Sequence, residues 1–428
     1  MTPRVALEHL ARAAIAAGDP GRAMGGRVPA APPGRTLVVS SGKAAPAMAR
    51  AAAAELAGEV EGIVVVPHGL EEPVPEGWRV LRAAHPVPDV GSEVAAREVL
   101  RAATALGEGD RLLFLLSGGT SSLLCLPGAG LDLEAKRFVH RLLLDGGLDI
   151  EQMNTVRRHL SGLKGGRLAS AAWPAETCTL FVSDVPRRAD GTLAVEAVGS
   201  GPTVGDPTCL EDARAVVARL GAAGARVAGW LAEPQRETPK PGDARLARAQ
   251  ATCVLEDADM VAEVEEEARR LGCVGTERVR LAGSVGEVAR VLAGRVPALR
   301  ERGRAGGGPV LLVAHGEATV ALPSPRPAGA RGGRNTALAM ELVEALGDGE
   351  GVHALCFDTD GIDGTGPHAG AFVGPGEAAR WAAAGWSAGR AREGACSAVA
   401  FEAVGGLWVT GRTGTNLSDL CLMWVEAG

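Results

Sequence analysis

Short apolar runs alternate with segments of helical periodicity along nearly the whole chain. Runs near residues 36–40, 62–66, 78–82, 112–116 and 178–183 predict strands, and the stretches 44–56, 91–106, 133–144 and 150–160 between them predict helices. This alternation is the signature of parallel α/β layers. Residues 233–243, rich in proline and charge, read as a linker. From about residue 247 the pattern resumes, with strands expected at 252–255, 277–281, 310–320, 353–357 and 407–409 and helices at 259–271 and 284–296. The expected fold is therefore α/β, with two three-layer α/β/α domains over residues 1–235 and 236–428 and a cleft between them. The first is expected to hold a Rossmann-like, mostly parallel sheet. The amphipathic stretch at the N-terminus reads as the first helix of the fold, and Asp149 as the N-cap of the helix after it.

The strands share a way of ending. Residues 112–122 run Leu-Leu-Phe-Leu-Leu-Ser-Gly-Gly-Thr-Ser-Ser: a strand apolar on both faces that opens into glycines and hydroxyls. Other apolar runs end in Ser-Ser-Gly-Lys43, Ser-Asp184, His-Gly-Glu317, Asp-Thr-Asp-Gly361 and Gly-Arg-Thr-Gly-Thr-Asn416. Ligands of open α/β sheets bind beyond the carboxyl ends of strands. A glycine-rich turn there aims backbone N–H groups at an anion. Ser117, Gly118, Gly119, Thr120 and Ser121 are accordingly the candidate phosphate- or nucleotide-binding turn.

Composition narrows the partners. The 428 residues carry a net charge of −7, with 46% hydrophobic and 22% charged residues. That composition offers nothing to nucleic acid or to an anionic membrane, and no apolar run approaches a membrane span. A cytoplasmic location is expected. The eight cysteines (125, 178, 209, 253, 273, 356, 396, 421) are dispersed and without CxxC pairs, so they read as reduced thiols rather than zinc ligands or disulfides. The chain has no tyrosine, which excludes a tyrosine general acid. Among 44 basic residues only four are lysine: Lys43, Lys136, Lys164 and Lys240. Lys136 and Lys240 sit in charged or proline-flanked surroundings and read as solvated. Lys43 and Lys164 adjoin glycines, where a compact ammonium is not interchangeable with a guanidinium.

Further candidates follow from local chemistry. Residues 153–167 are basic and broken by glycine, which singles out His159 and Lys164 for substrate contact, with Arg157 or Arg158 in support. Asp184 ends a strand and suits a metal or proton-handling role. Arg334, beside Asn335 at an expected helix start, suits bidentate contact with a carboxylate or phosphate. The acids from Asp358 to Asp363 lack calcium-loop spacing but could reach Mg²⁺ through Asp360 together with substrate phosphate. Walker, dinucleotide-fingerprint and Gly-x-Ser-x-Gly patterns are all missing.

Taken in order, Gly42-Lys-Ala-Ala45, His85-Pro-Val-Pro-Asp89, Ser117-Gly-Gly119, His159-Leu-Ser-x-x-Lys-Gly-Gly166, Ser183-Asp-Val185, Ser200-Gly-Pro-Thr203, Gly332-Gly-Arg-Asn335, Asp358-Thr-Asp-Gly-Ile-Asp-Gly364 and Thr410-Gly-x-Thr-Gly-Thr-Asn416 resemble the glycerate 2-kinases whose C-terminal part is the MOFRL domain. That part would span about 305–425 here. The resemblance covers almost the whole chain. It implies ATP-dependent, Mg²⁺-assisted phosphorylation of D-glycerate at the 2-hydroxyl, by a monomer or homodimer. It implies Lys43, Arg334 and Asp184 as catalytic residues, with Lys43 and Arg334 facing each other across the cleft. Asn335 joins His159 and Lys164 as substrate contacts, and Asp184 and Asp360 are the metal candidates. This chain departs from the family pattern after Val185, where a Gly-Asp-Asp-like turn is usual. It also departs at Thr120, in place of a third glycine, and at Arg412, in place of proline. The alternatives are an NAD(P)H-dependent hydroxypyruvate reductase, against which the missing dinucleotide fingerprint weighs, and a noncatalytic sugar-acid binding protein.

Overall fold

The structure, a computed structural model, describes every residue except Asp184, Pro186, Ala189, Ser324, Arg326 and Asn416. The chain divides into two compact units, Pro20–Leu255 and Met1–Asp19 together with Glu256–Gly428.

The unit Pro20–Leu255 is built on a six-stranded sheet of β1 (Thr36–Ser41), β2 (Val60–Pro67), β3 (Arg79–Ala83), β4 (Arg111–Leu116), β5 (Glu176–Ser183) and β6 (Ala249–Glu256), in the order β3-β2-β1-β4-β5-β6. The β1–β2, β2–β3, β1–β4 and β4–β5 pairs are parallel. All six residues of β1 and of β4 are buried, as two-faced apolar runs require. Leu37, Val39, Ile63, Val65, Leu112 and Phe114 pack on one face with the helix Val90–Thr104. Strand order runs outward one way from β1 and the other way from β4, so the sheet switches direction between them. There Ser41 is level with Leu116, and the turns that follow the two strands lie side by side.

A helical layer flanks this sheet. Val139 and Leu143 of the helix Leu133–Asp145 pack against Met153 and Val156 of the helix Ile150–His159 and against Leu210 and Val217. Asp149 caps the helix Ile150–His159 as expected: its carboxylate accepts from the Gln152 N–H at 2.8 Å, and the Gln152 side chain accepts from the Asp149 N–H at 3.3 Å.

The second unit has the strand order β11-β10-β9-β12-β8-β7, from β7 (Gly275–Leu281), β8 (Val310–Gly316), β9 (Val352–Asp358), β10 (Gly370–Val373), β11 (Leu407–Trp408) and β12 (Asp419–Val425). β12 lies antiparallel between β8 and β9, with Asp419 opposite both Gly316 and Asp358. The carboxyl ends of β8 and β9 and the start of β12 thus share one edge. The helices Val285–Gly306 and Arg334–Leu346 cover one face, and the helices Pro3–Ala17 and Asp257–Arg270 cover the other.

Two segments differ from the sequence expectation. Leu7, Leu10 and Ala14 pack with Val264, Leu311 and Leu355, which places the N-terminal helix on the second sheet. β6, expected to open the second block, instead extends the first sheet beyond β5, where the Thr177 N–H donates to the Arg248 carbonyl at 3.0 Å. No described helix is long and apolar enough to cross a membrane.

Candidate active site

The switch point of the first sheet is stapled by hydroxyls. The Ser117 N–H and hydroxyl both donate to the Ser41 carbonyl, at 3.0 and 3.1 Å, and the Ala44 N–H donates to Ser117 Oγ at 3.2 Å. Thr120 Oγ1 lies 2.8 Å from the carbonyls of both Ser41 and Ser117. The Lys43 N–H donates to the Gly118 carbonyl at 2.9 Å. Gly42, at φ 123°, lies so close that an added Cβ would overlap the Ser117 hydroxyl and come within 2.6 Å of its carbonyl oxygen. Of the five residues expected to cradle an anion, Ser117 and Thr120 are therefore buried and spend their hydroxyls holding the Lys43 turn against β4. Gly119 and Ser121 are the members that face open space.

That space is a cavity of about 230 Å³ within the first unit. Gly119, Ser121 and Ser122 form one wall, and His85 and Pro86 another. Lys136 and His140 enter from the helix Leu133–Asp145, Arg157 from the helix Ile150–His159, and Lys164 from the glycine-broken segment after it. Gly119 takes φ 91°, and an added Cβ there would press to 3.2 Å from the His85 ring.

Lys164 Nζ donates to the Ser121 carbonyl and hydroxyl, at 2.5 and 2.6 Å. The Ser121 hydroxyl continues to Ser200 Oγ at 3.2 Å, and Ser200 Oγ donates to Asn154 Oδ1 at 3.2 Å. Lys136, expected to be solvated, is only 6% exposed. It reaches the Arg157 and Leu160 carbonyls at 3.4 and 3.2 Å, capping the negative end of the helix Ile150–His159. Arg157 Nη2 donates to His140 Nδ1 at 3.0 Å, which leaves the imidazole proton on Nε2.

Burial and crowding set the protonation of this wall. Burial, then the Lys136 and Arg157 charges, push Lys164 down to about 7. Burial lowers Lys136 as well. His140 is lowered by burial and the surrounding cations, and His85 by burial and the nearby Lys43 charge.

His159 stands apart from the cavity lining. It is fully buried, with Nδ1 2.8 Å from the Thr155 carbonyl and Nε2 3.2 Å from Glu237, so its ring ties a helix to a loop. Arg158 pairs with buried Asp206 at 3.0 Å. Asp184 lies outside the described residues.

The second unit gathers its own polar cluster at the edge shared by β8, β9 and β12. Arg334 opens the helix Arg334–Leu346. Its Nε lies 3.0 Å from Asp419 Oδ2 and its Nη1 2.9 Å from Glu317 Oε2, with Asp358 at 3.9 Å. Asn335 Nδ2 donates to Asp419 Oδ1 at 2.8 Å. Asp363 caps this helix from a separate loop: its oxygens accept from the Asn335 N–H at 2.9 Å and the Thr336 N–H at 2.8 Å. Burial opposes charge on Arg334, but Asp419, Glu317 and Asp358 outweigh it and raise its pKa. Burial, with Glu317 and Asp363 nearby, pushes Asp419 up to about 7 despite Arg334 and Asn335. Asp360 Oδ1 accepts from the Ile362 N–H at 2.8 Å and so helps to close its own turn.

Sequence reasoning read Lys136 as solvated and left out His140 and Asp419. For Lys136 a signal existed. Leu133, Val139 and Leu143 place their stripe on the same helical face, so Lys136 belongs to the buried side.

Fold and site together define a two-sheet α/β protein whose first unit carries a cationic cavity at a topological switch point. Residues 6–231 match the family described as a domain of unknown function, DUF4147, and residues 310–419 match the MOFRL family. The chain belongs to this DUF4147–MOFRL family. It is 39% identical to a protein of Agrobacterium vitis provisionally named hydroxypyruvate reductase, over 98% of this chain and 94% of that one. It is 32% identical to the D-glycerate 2-kinase of Thermotoga maritima, over 98% and 97% of the two chains. The crystal structure of a glycerate kinase from Thermotoga maritima superposes with a TM-score of 0.81 at 31% identity, covering 97% of this chain and 98% of that one.

Proposed function

We propose that this protein is an ATP-dependent kinase that phosphorylates D-glycerate at its 2-hydroxyl, giving 2-phospho-D-glycerate and ADP. The observation that carries the reading is end-to-end similarity, in sequence and fold, to a D-glycerate 2-kinase. The switch-point turn, with Lys43 beside it, fits this chemistry. In the reaction the acceptor oxygen bonds to the γ-phosphorus, the bond to the β-phosphate oxygen breaks, and the hydroxyl proton leaves to a base. Protein catalysis of this transfer is mostly positioning and charge stabilisation. Lys43 and, within the 117–121 turn, the backbone N–H groups of Gly118, Gly119 and Ser121 are the groups we assign to the transferred phosphoryl. Arg334, fixed by its acids, is assigned to an anionic group of either substrate, with Asn335 beside it. Asp184 and Asp360 are the acids assigned to proton or metal contact.

Among the described residues no group of three or more His, Cys, Asp or Glu side chains could hold a metal ion. A protein cage for Mg²⁺ is therefore not assigned, and we infer that the ion arrives with the nucleotide, where it neutralises phosphate charge. All eight cysteines are free, which fits the reducing cytoplasm we propose as its setting.

The provisional name on the Agrobacterium vitis protein makes an oxidoreductase the second reading. Parallel assays separate the two. D-Glycerate with ATP and Mg²⁺ should give ADP and a 2-phosphate ester by phosphorus NMR, while hydroxypyruvate with NADH should show no oxidation of the cofactor. NADH consumption without phosphorylation would overturn the kinase reading.

A further inference from the structure

The cavity in the first unit holds a charge imbalance. Lys136, Arg157 and Lys164 face it, with Lys136 at 6% and Lys164 at 4% exposure, yet among the described residues no acidic side chain lines it. Among the described residues none of the three forms an ion pair. Their hydrogen-bond partners are carbonyls, the Ser121 hydroxyl, Asn154, a thioether and an imidazole. Cations removed from water without a counter-ion are costly. A fold that keeps three of them around an open space is built for a counter-ion that comes and goes.

Donor geometry fits a carboxylate. Among the described residues Arg157 Nη1 has one acceptor for its two hydrogens, and its Nε–H has none. Protonated Lys164 has a third N–H beyond the two given to Ser121. Size fits as well: about 230 Å³ is below the roughly 300–1,000 Å³ of pockets that enclose drug-sized ligands, and suits a three-carbon acid rather than a nucleotide.

We propose that this cavity is the acceptor pocket, in which Arg157 and Lys164 hold the carboxylate of a small 2-hydroxy acid and direct its hydroxyl toward Gly119 and Ser121. Naming that acid D-glycerate rests on the kinase reading; the carboxylate pocket does not. The pocket also carries a proton signature. Lys164, lowered to about 7 by burial and its cationic neighbours, regains its charge when an anion binds. Lys136 and His140 from one helix, Arg157 from another, His85 from the loop after β3 and Cys125 are the titratable groups that face this space. Of these described groups Cys125 alone acts to raise Lys164, and burial with the Lys136 and Arg157 charges outweighs it. Binding near pH 7.5 should therefore take up protons.

Isothermal titration of D-glycerate into the full chain without nucleotide, in two buffers of different ionisation enthalpy, tests this. D-Glycerate should bind with proton uptake and glycerol should not bind. Lys164→Met should abolish the uptake and weaken binding about tenfold or more, and Arg157→Gln should weaken it similarly. Lys164→Met and Arg157→Gln proteins with parental circular dichroism and glycerate affinity within twofold of the parent would overturn the pocket. An ADP-release assay on the parent separates the two readings. Glycerate binding without turnover removes the kinase and leaves the pocket. Turnover with an unchanged glycerate KM in both variants removes the pocket and leaves the kinase.

Discussion

Arg334 and Asp419 form a two-point contact at the start of β12: Nε lies 3.0 Å from Oδ2, and Nη2 donates to Oδ1 at 3.3 Å. The acid is almost wholly buried, and register explains how it comes to be there, since Asp419 is level with the last residues of β8 and β9. Strand pairing thus delivers a carboxylate to the first turn of the helix that carries Arg334.

This contact makes a pH prediction. Asp419 rises from the ordinary 3.8 to about 7 through burial, so between these values the folded protein holds a proton that the unfolded chain has lost. Stability contributed by this group falls as pH rises through that window. Asp419→Asn keeps the neutral shape. Its thermal midpoint, measured against the parent, should shift in the variant's favour between about pH 5 and about pH 8. A constant offset across that range would mean that Asp419 stays ionised throughout.

The Thr120 hydroxyl makes a second test because its two candidate roles predict different readouts. In the structure it ties the 117–121 turn to the Ser41 carbonyl. Thr120→Val should lower stability by about 0.5–1.5 kcal/mol, the usual net worth of one hydrogen bond, since the Ser41 carbonyl keeps its two Ser117 donors. Turnover of the folded variant should stay within a few-fold of the parent. Unchanged stability with a large rise in KM for ATP would instead make the hydroxyl a phosphate ligand.

How much of this was readable from the sequence varies by element. β1 and β4 announce themselves because they are buried on both faces, so local composition suffices. β12, Leu-Cys-Leu-Met-Trp-Val after Asp419, is equally apolar, but its place between β8 and β9 is set by antiparallel pairing with residues far away in sequence. No local pattern encodes that pairing. The N-terminal helix shows the same limit: its apolar stripe states that one face is covered, not which sheet covers it. In the site, glycines and the scarcity of lysine marked Lys43, the turn and Lys164. The charged neighbours Glu134 and Arg137 disguised Lys136, and basic surroundings lent His159 a role its hydrogen bonds do not support.

Lys43 should be indispensable to turnover. Lys43→Ala should cost at least about 100-fold in kcat, the scale seen when a group that stabilises developing charge is removed, with little change in thermal midpoint. Lys43→Arg should not restore the rate, because the broader guanidinium does not fit a turn held against Gly118. Both variants are read by ADP release, and near-parental kcat in Lys43→Ala would remove this side chain from the mechanism.

Lys164 should reveal the energetic cost of the pocket when no ligand is present. Its pKa drops from 10.5 to about 7 on folding, chiefly through burial, so the folded state opposes the charge that the unfolded chain carries. At about 1.4 kcal/mol per unit, the opposition is on the order of 5 kcal/mol. It acts in full below pH 7, where both states are protonated, and it fades as pH climbs toward 10.5, where both become neutral. Methionine matches the length of the side chain and removes the charge, at the loss of the hydrogen bonds to Ser121. Lys164→Met should therefore unfold at a higher temperature than the parent near pH 6, and its advantage should shrink steadily up to about pH 9.5. Saturating D-glycerate should narrow the gap from the other side, because the ligand supplies the parent with the counter-ion its cations lack. A variant less stable than the parent at every pH would mean that the Ser121 contacts outweigh the buried charge, and that Lys164 holds the turn rather than waiting for an anion.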